Sequence, residues 1–460
     1  MSTIFTIKAS EAQGRRLDPS FYSPQYRKLD EAMSNCQYDC LEIRELQVEV
    51  FQGVSRNLLE RDGIRLLKVK NILPDGAIDF SDTEPISDVP GNKILKNGDI
   101  ISPFIGAAIR GYKFGYFETR EGERWTFDNN TGVFRNKDAR VLSRYLWAFF
   151  QLEITHRQLD RIIGGGGVPY LGTEYAKRLK VILPPLPEQR KIVAELDAAY
   201  AAKRAADEKA TKLLASIDDM VLNELGIAKL PKPDTSLSSR IFTVPAREAL
   251  NGRLDAYYYK SSFKELGKEL TRCNSVPFGN LITEIYNGID CRDYQDEGVP
   301  YLKVANVKPG EFSFDDLKYI DRKELGVKDI ALKAGRMLLT RKGTFGNAIA
   351  LSEDYDYAIS SEVFCLSIRN ELVDVHYLET VINSSIGRML CDKYKIGAIM
   401  GSLSQEAVKA LPIPLPDANI QRRIASNAAS IRAEARKLKA DATATLNAAK
   451  QKIELEIIEK

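Results

Sequence analysis

The 460-residue chain is predicted to fold as two similar α/β (α+β) globular domains. Two long helices would separate them and pair as an antiparallel coiled coil with pseudo-two-fold symmetry. Three observations predict this. Leu183-Pro184 followed by Gln189-Arg190 and Ile192 recurs as Leu415-Pro416 followed by Gln421-Arg422 and Ile424, at a constant offset (421 − 189 = 232) that holds back through Leu179/Leu411 to Leu171/Leu403. Arg16-Leu17-Asp18 with Phe21-Tyr22 returns as Arg253-Leu254-Asp255 with Tyr258-Tyr259, at a second offset (253 − 16 = 237). A period near half the chain means two copies of one module. Third, each copy changes texture once, from short apolar runs broken by turn residues to a long stretch without glycine or proline.

Within residues 1–182 the apolar runs Ile64 to Val69 and Ile100-Ile101 are broken by Pro74-Asp75-Gly76 and Asn97-Gly98-Asp99. Those breaks predict turns between strands. A helix is predicted from about Ser143 to Leu159. Residues 183–228 form the first helical spacer: Pro187 suits a first helical turn, and Gly226 suits the residue after the last. Small or apolar residues at Ile192, Leu196, Ala199, Ala206, Ala210, Leu213, Ile217 and Met220 follow the 4-3 spacing of a coiled-coil seam. Lys229 to Ser236, rich in proline, predicts a linker into the second module.

Residues 229–414 repeat the first texture, with Tyr301-Leu302-Lys303-Val304 and Met337-Leu338-Leu339-Thr340 as strands. The second spacer, 415–460, carries a cleaner seam at Ile424, Ala428, Ile431, Ala435, Leu438, Ala442 and Ala449. Asp417 is placed to cap it. Each such helix could pack on its own domain or on the other helix; pseudo-two-fold symmetry favours an antiparallel pair. About 36 helical residues at ~1.5 Å each span roughly 54 Å, equivalent to on the order of 15 base pairs. Such a spacer would act as a ruler.

Composition sets outer limits. Net charge of +3 is only mildly basic, so a nucleic-acid partner would require the cations to gather on one face. Six cysteines lack Cys-x-x-Cys pairing, and neither a signal peptide nor an apolar run long enough to cross a bilayer stands out. A cytoplasmic chain with reduced thiols is expected.

The run Leu183-Pro184-Pro185-Leu186-Pro187-Glu188-Gln189-Arg190-Lys191-Ile192, preceded by Gly164 to Leu171, resembles the end of a target-recognition domain in the specificity (S) subunits of type I restriction-modification enzymes. Gly397 to Leu403 and Leu411 to Pro416 resemble it again, departing at Asp417 to Ile420. The resemblance covers the whole chain. It implies two target-recognition domains, each reading half of a split double-stranded DNA site, and helical spacers that fix the gap. It also implies docking of two methyltransferase subunits and of restriction subunits, with no membrane involved. S-adenosylmethionine, with ATP and magnesium, would sit on those partners and none on this chain, and adenine N6 would be the methylated atom.

The residues themselves offer little for catalysis. There is no Asn/Asp-Pro-Pro-Tyr/Phe set and no phosphate-binding Gly-Lys-Ser/Thr loop. His156 and His376 occupy non-matching places in the two copies and lack metal-ligand spacing. Asp18 and Asp255 suit a salt bridge or turn better than chemistry, and Cys36 and Cys40 a structural role. A non-catalytic recognition subunit is therefore expected. The alternatives are an S subunit whose single partner fuses methylation and cleavage, a stand-alone nuclease, and a protein-only scaffold.

Base recognition needs donors and acceptors on loops, with cations beside them for phosphate. Three stretches qualify in each module. Lys68, Lys70 and Asn71 end one strand, and Lys303 and Asn306 its counterpart. Arg110 and Lys113 follow the first Leu95-Lys96, and Arg341 and Lys342 the second Leu332-Lys333. Arg161 and Tyr170 flank the glycine-rich loop. Lysines and arginines at such places can equally be solvated strand edges. The asparagines can be turn residues bonding their own backbone, and the glycines a plain flexible loop. The modules differ in most loop residues, which predicts an asymmetric target. For the spacers, Ile192, Leu196, Leu213, Ile217, Ile424, Ile431 and Leu438 are the expected packing positions.

Overall fold

Alternation of short β-rich runs with turn residues does produce sheets, and it produces the same set twice. The computed structural model describes residues 19–55, 59–87, 89–118, 122–163, 168–229, 236, 241–250, 253–328, 331–397 and 401–459. The first Arg-Leu-Asp repeat at 16–18, Gly164–Gly167, linker residues 230–235 and 398–400 lie outside them. The chain divides into two compact units, Met1–Asp207 with Leu438–Lys460, and Glu208–Lys437.

The strands of the first unit are β1 (Asp39–Glu42), β2 (Val48–Gln52), β3 (Leu59–Leu67), β4 (Glu84–Ile86), β5 (Ile100–Pro103), β6 (Gly115–Tyr116), β7 (Trp125–Phe127), β8 (Thr131–Asn136) and β9 (Lys180–Leu183). They form a four-stranded sheet in the order β2-β8-β5-β6, a three-stranded sheet β4-β3-β7 and the pair β1-β9. Among the described strand pairs of this unit only β3 and β7 run parallel. Strand β8 is central, and Thr131 through Arg135 are buried in succession because both its faces are covered. Gly132 lies there because a Cβ would sit 2.3 Å from the Phe104 ring.

The second unit has β10 (Ser275–Pro277), β11 (Ile282–Asn287), β12 (Val299–Leu302), β13 (Val307–Lys308), β14 (Glu311–Phe312), β15 (Lys318–Ile320), β16 (Arg336–Thr340), β17 (Ala348–Ala350), β18 (Ala358–Ile359), β19 (Val363–Ile368) and β20 (Pro412–Pro414). Its sheets β11-β19-β16-β17, β15-β12-β18 and β10-β20 repeat the first unit's orders strand for strand, and the β13-β14 hairpin takes the place of the first unit's Ile72–Ile78 bridge. Again one pair, β12 and β18, is parallel. The two heads therefore share one topology.

Helices α1 (Ser143–Phe150), α2 (Leu186–Leu225), α3 (Val375–Asn383) and α4 (Ala418–Glu459) are central to the frame. In each head the short helix covers the large sheet. Tyr145 Oη donates to the Ile182 carbonyl at 2.6 Å, and Tyr377 Oη to the Pro414 carbonyl at 2.8 Å. The helix expected from Ser143 to Leu159 is in fact two, α1 and Glu153–Ile163. The break at Gln151 has a cause. Its buried side chain donates to the Phe114 carbonyl and accepts from Tyr200 Oη, contacts that hold the chain at the bend.

Helix α2 runs for 40 residues without interruption. It ends as its sequence predicts: Gly226 adopts φ 65°, and the Gly226 and Ile227 amides bond back to the Asn223 and Leu222 carbonyls. That is a left-handed stop closed by buried Ile227. Helix α4 runs for 42 residues and starts on Asp417, whose carboxylate accepts from the Asn419 and Ile420 amides. Such a cap is worth ~1 kcal/mol.

Each compact unit takes the start of one long helix and the end of the other. In the first unit Ile192, Leu196 and Tyr200 share a core with Leu446, Ile453 and Ile457 and with the sheet-covering helix residues. Lys191 pairs with Glu456 and Glu195 with Lys452, so numbers rise on α2 as they fall on α4 and the helices are antiparallel. In the second unit Ile424 joins Val221 and Leu222, and Arg423 pairs with Glu224. The seam thus packs on the domain and on the other helix at once, combining both arrangements weighed from sequence. Leu213, Ile217, Ile431 and Leu438 are only half-buried.

Candidate nucleic-acid interface

The strand-end turns proposed as base readers are built alike in both heads. Asn71 Oδ1 accepts the Lys68 amide at 2.9 Å, and its Nδ2 donates to the Asp79 and Asp82 carbonyls. Asn306 repeats this on the Lys303 amide and the Ser313 and Asp315 carbonyls. Both asparagines are 1% exposed. With both ends of the amide bonded inside the protein, neither presents an edge to a base. These two candidates are corrected to turn-holding residues.

The lysines beside them stay near the surface. Lys68 Nζ pairs with Glu84 at 2.8 Å and Lys70 with Asp82, whereas the Lys303 ammonium lies 5.3 Å from the centre of the Tyr294 ring. Arg161 is also corrected. Its guanidinium bonds Asp30 at 2.7 Å and the Phe21 carbonyl at 2.9 Å and covers the Phe21 ring, tying the Glu153–Ile163 helix to the N-terminal segment. Tyr170 is 50% exposed, held by a bridge to Ile105. Arg110 is exposed and Lys113 half-buried.

Strand register shows which residues of the two heads correspond. Ile100 faces Phe134 as Met337 faces Leu366. One step beyond these strands, the Phe104 amide bonds the Asn130 carbonyl and the Phe104 carbonyl accepts from Leu171. Arg341 does the same with Glu362 and Leu403. The counterpart of Arg341 is therefore Phe104, and that of Lys342 is Ile105; both bridge to the glycine-rich loop, at Ser402 and Tyr170. Arg110 and Lys113 are not their equivalents.

In the second head these positions open a cleft of about 550 Å³ lined by Asp290, Arg292, Tyr294, Lys303, Arg341, Lys342 and Glu362, among others. Ser360 forms part of its wall and bridges Ile289, as Asp128 bridges Val54 in the first head. Burial raises the carboxyl pKa of Asp128, and one of its oxygens is buried without a hydrogen-bond partner. The two heads thus carry different chemistry on one frame. Tyr294 and Cys291 of this cleft were not singled out from sequence; only strand pairing brings residues 290–294 beside 341 and 360.

The function of the duplicated Gln189 and Gln421 was also missed. Gln189 Oε1 accepts the Leu142 amide at the start of α1, and its Nε2 donates to the Arg140 and Pro184 carbonyls. Gln421 accepts from the Asp374 amide and donates to the Pro416 carbonyl. Their repetition at a fixed offset was the available signal.

Among the described residues no group of three or more His, Cys, Asp or Glu could hold a metal ion, and no helix is long and apolar enough to cross a membrane. All six cysteines are free thiols.

A sheet-and-helix head present twice, each closed by a long helix, defines a duplicated two-headed chain. Residues 72–212 and 287–435, more than half of the sequence, match the type I restriction modification DNA specificity domain, and the chain belongs to that family. It is similar to the type I restriction enzyme MjaVIII specificity subunit of Methanocaldococcus jannaschii, 22% identical over 62% of this chain and 63% of the relative. It is also similar to the EcoKI specificity subunit of Escherichia coli K12, 20% identical over 62% of this chain and 56% of the relative. The chain spans about three-fifths of the length of these curated relatives. A chain in a solved structure describing assembly and conformational transition of a type I R-M system aligns with a TM-score of 0.46 and 15% identity, over 92% of this chain and 97% of that one.

Proposed function

We propose that this protein is the DNA-recognition subunit of a type I restriction-modification system. Each head reads one half of a bipartite double-stranded site, and the site is asymmetric. The chain brings two methyltransferase subunits, and restriction subunits with them, to that site. Recognition belongs to this chain and the chemistry to its partners, which carry S-adenosylmethionine, ATP and magnesium. The complex works in the cytoplasm.

One observation carries the reading: a shared topology bears different side chains at corresponding loop positions, Phe104 against Arg341 and Asp128 against Ser360. A frame repeated with changed loops is what two dissimilar half-sites require. The phosphate backbone demands only cations, whereas sequence is read by placed donors and acceptors. The uninterrupted long helices support a fixed gap between half-sites.

The test is methylome sequencing of cells carrying the methyltransferase subunit with and without this chain. The expected result is adenine methylation at a split, non-palindromic motif that vanishes without the chain. A palindromic motif would overturn the asymmetry, and methylation unaffected by its loss would overturn the function.

A further inference from the structure

We infer that Arg341 reads a guanine in the half-site bound by the second head; this rests on the DNA-recognition function proposed above. The main chain fixes the residue on both sides. Its amide donates to the Glu362 carbonyl at 2.9 Å, its carbonyl accepts from Leu403 at 2.8 Å, and Lys342 bridges Ser402 immediately after. The Phe364 ring lies 5.1 Å from the guanidinium carbon. The side chain is half-buried, so it presents its donors from a set position.

Those donors are largely unused. A guanidinium has five N–H groups. The described residues give the Arg341 side chain one long hydrogen bond, Nη1 to the Ser361 carbonyl at 3.4 Å, and leave its buried Nε without a partner. Other arginines of the chain pair with carboxylates: Arg135 with Asp99, Arg144 with Asp197, Arg432 with Glu379. Among the described residues Arg341 makes no such pair, although Glu362 lines the same cleft.

An arginine fork with open donors matches two acceptors side by side. Guanine O6 and N7 supply them in the major groove, and a phosphate supplies them on the backbone. Placement favours the base. Arg341 is recessed and clamped, whereas Lys342 and Arg292 at the cleft are exposed and suited to phosphate. The first head has Phe104 at this position, fully buried, so the requirement for guanine belongs to the second half-site alone.

The experiment uses the full chain assembled with its methyltransferase subunits, selecting bound DNA from a pool randomised in both half-sites. Arg341→Ala, Arg341→Lys and Lys342→Ala are compared with the unaltered complex. At one position of one half-site, Arg341→Ala should lose roughly 5- to 150-fold of the preference for guanine, and Arg341→Lys part of it, because a lysine ammonium reaches the same acceptors without the fork. The other half-site should be unchanged, and Lys342→Ala should weaken all sequences alike. Should Arg341→Ala fail to fold, Arg341→Lys decides by itself. A uniform loss restored by lysine would make Arg341 a phosphate contact and overturn the inference, as would an unchanged motif. An unaltered complex without any sequence preference would instead overturn the recognition function, and the inference with it.

Discussion

The amide of Leu142 donates to Gln189 Oε1 at 2.9 Å, across 47 residues of sequence. This bond starts one helix from the side chain of another. Leu142 precedes α1, and Gln189 lies in the first turn of α2, fully buried. Gln421 and Asp374 repeat the relationship at 2.9 Å, also over 47 residues. The Gln-Arg repeat is thus the joint between head and spacer.

Removing that joint should loosen each head. Gln189→Ala or Gln421→Ala leaves a helix-start amide and a carbonyl unpaired in the interior, which costs about 1–3 kcal/mol. Urea denaturation should show each variant destabilised by that order, and a pair of neutral substitutions would refute the role.

Arg135 and Asp99 form a bidentate pair at 2.9 and 2.7 Å, with side chains 8% and 1% exposed. Arg135 also donates to the Ile94 carbonyl. Arg135→Met strands a buried carboxylate, and the expected loss is about 3–5 kcal/mol. Asp99→Asn with Arg135→Met should recover part of it in a double-mutant cycle of thermal denaturation.

Acid should weaken the first head through His156. Burial, and then the Lys450 ammonium, lower its pKa to about 4, with Asp160 opposing. The ring stacks on Tyr112 at 4.3 Å, and Nε2 has no partner. A buried neutral imidazole binds its proton more weakly than an unfolded one. Its contribution to stability is therefore complete above the ordinary histidine value near 6.5 and is lost as pH falls toward 4. The slope approaches ~1.4 kcal/mol per pH unit within that window. His156→Gln should flatten the dependence of unfolding free energy on pH there; an unchanged slope would place the acid sensitivity elsewhere.

Under the proposed function the long helices set the gap between half-sites, and they can be lengthened. Seven residues inserted in both long helices, after Asp207 and after Lys439, add about 10 Å while nearly preserving the helix face. The methylated motif should gain roughly three base pairs between its halves. A motif with its gap unchanged would exclude the ruler.

Much of this architecture was legible. The duplication, the two spacers, the Gly226 stop and the Asp417 cap follow from local chemistry that repeats or punctuates. Arg253 and Asp255 form the expected salt bridge at 3.1 Å. The loops were harder, because the repeat offset is 237 at Ile100/Met337 and 232 at Phe134/Leu366. Only strand pairing reveals where it changes, so Arg341 could not be matched to Phe104 from sequence. Asn71 and Arg161 misled for a related reason: a polar residue at a strand or helix end looks the same whether it faces solvent or carbonyls. Burial separates the two, and burial depends on partners up to 140 residues away, as with Arg161 and Phe21.

Leu446, Ile453 and Ile457 belong to the same core as Leu196. A ribosome adding ~5–20 residues per second would need on the order of tens of seconds to travel between them. During that interval the nascent first head has a greasy flank awaiting its last strip. Chaperone capture, or adhesion to a sister chain on the same messenger, would compete for it until synthesis reaches the final turns.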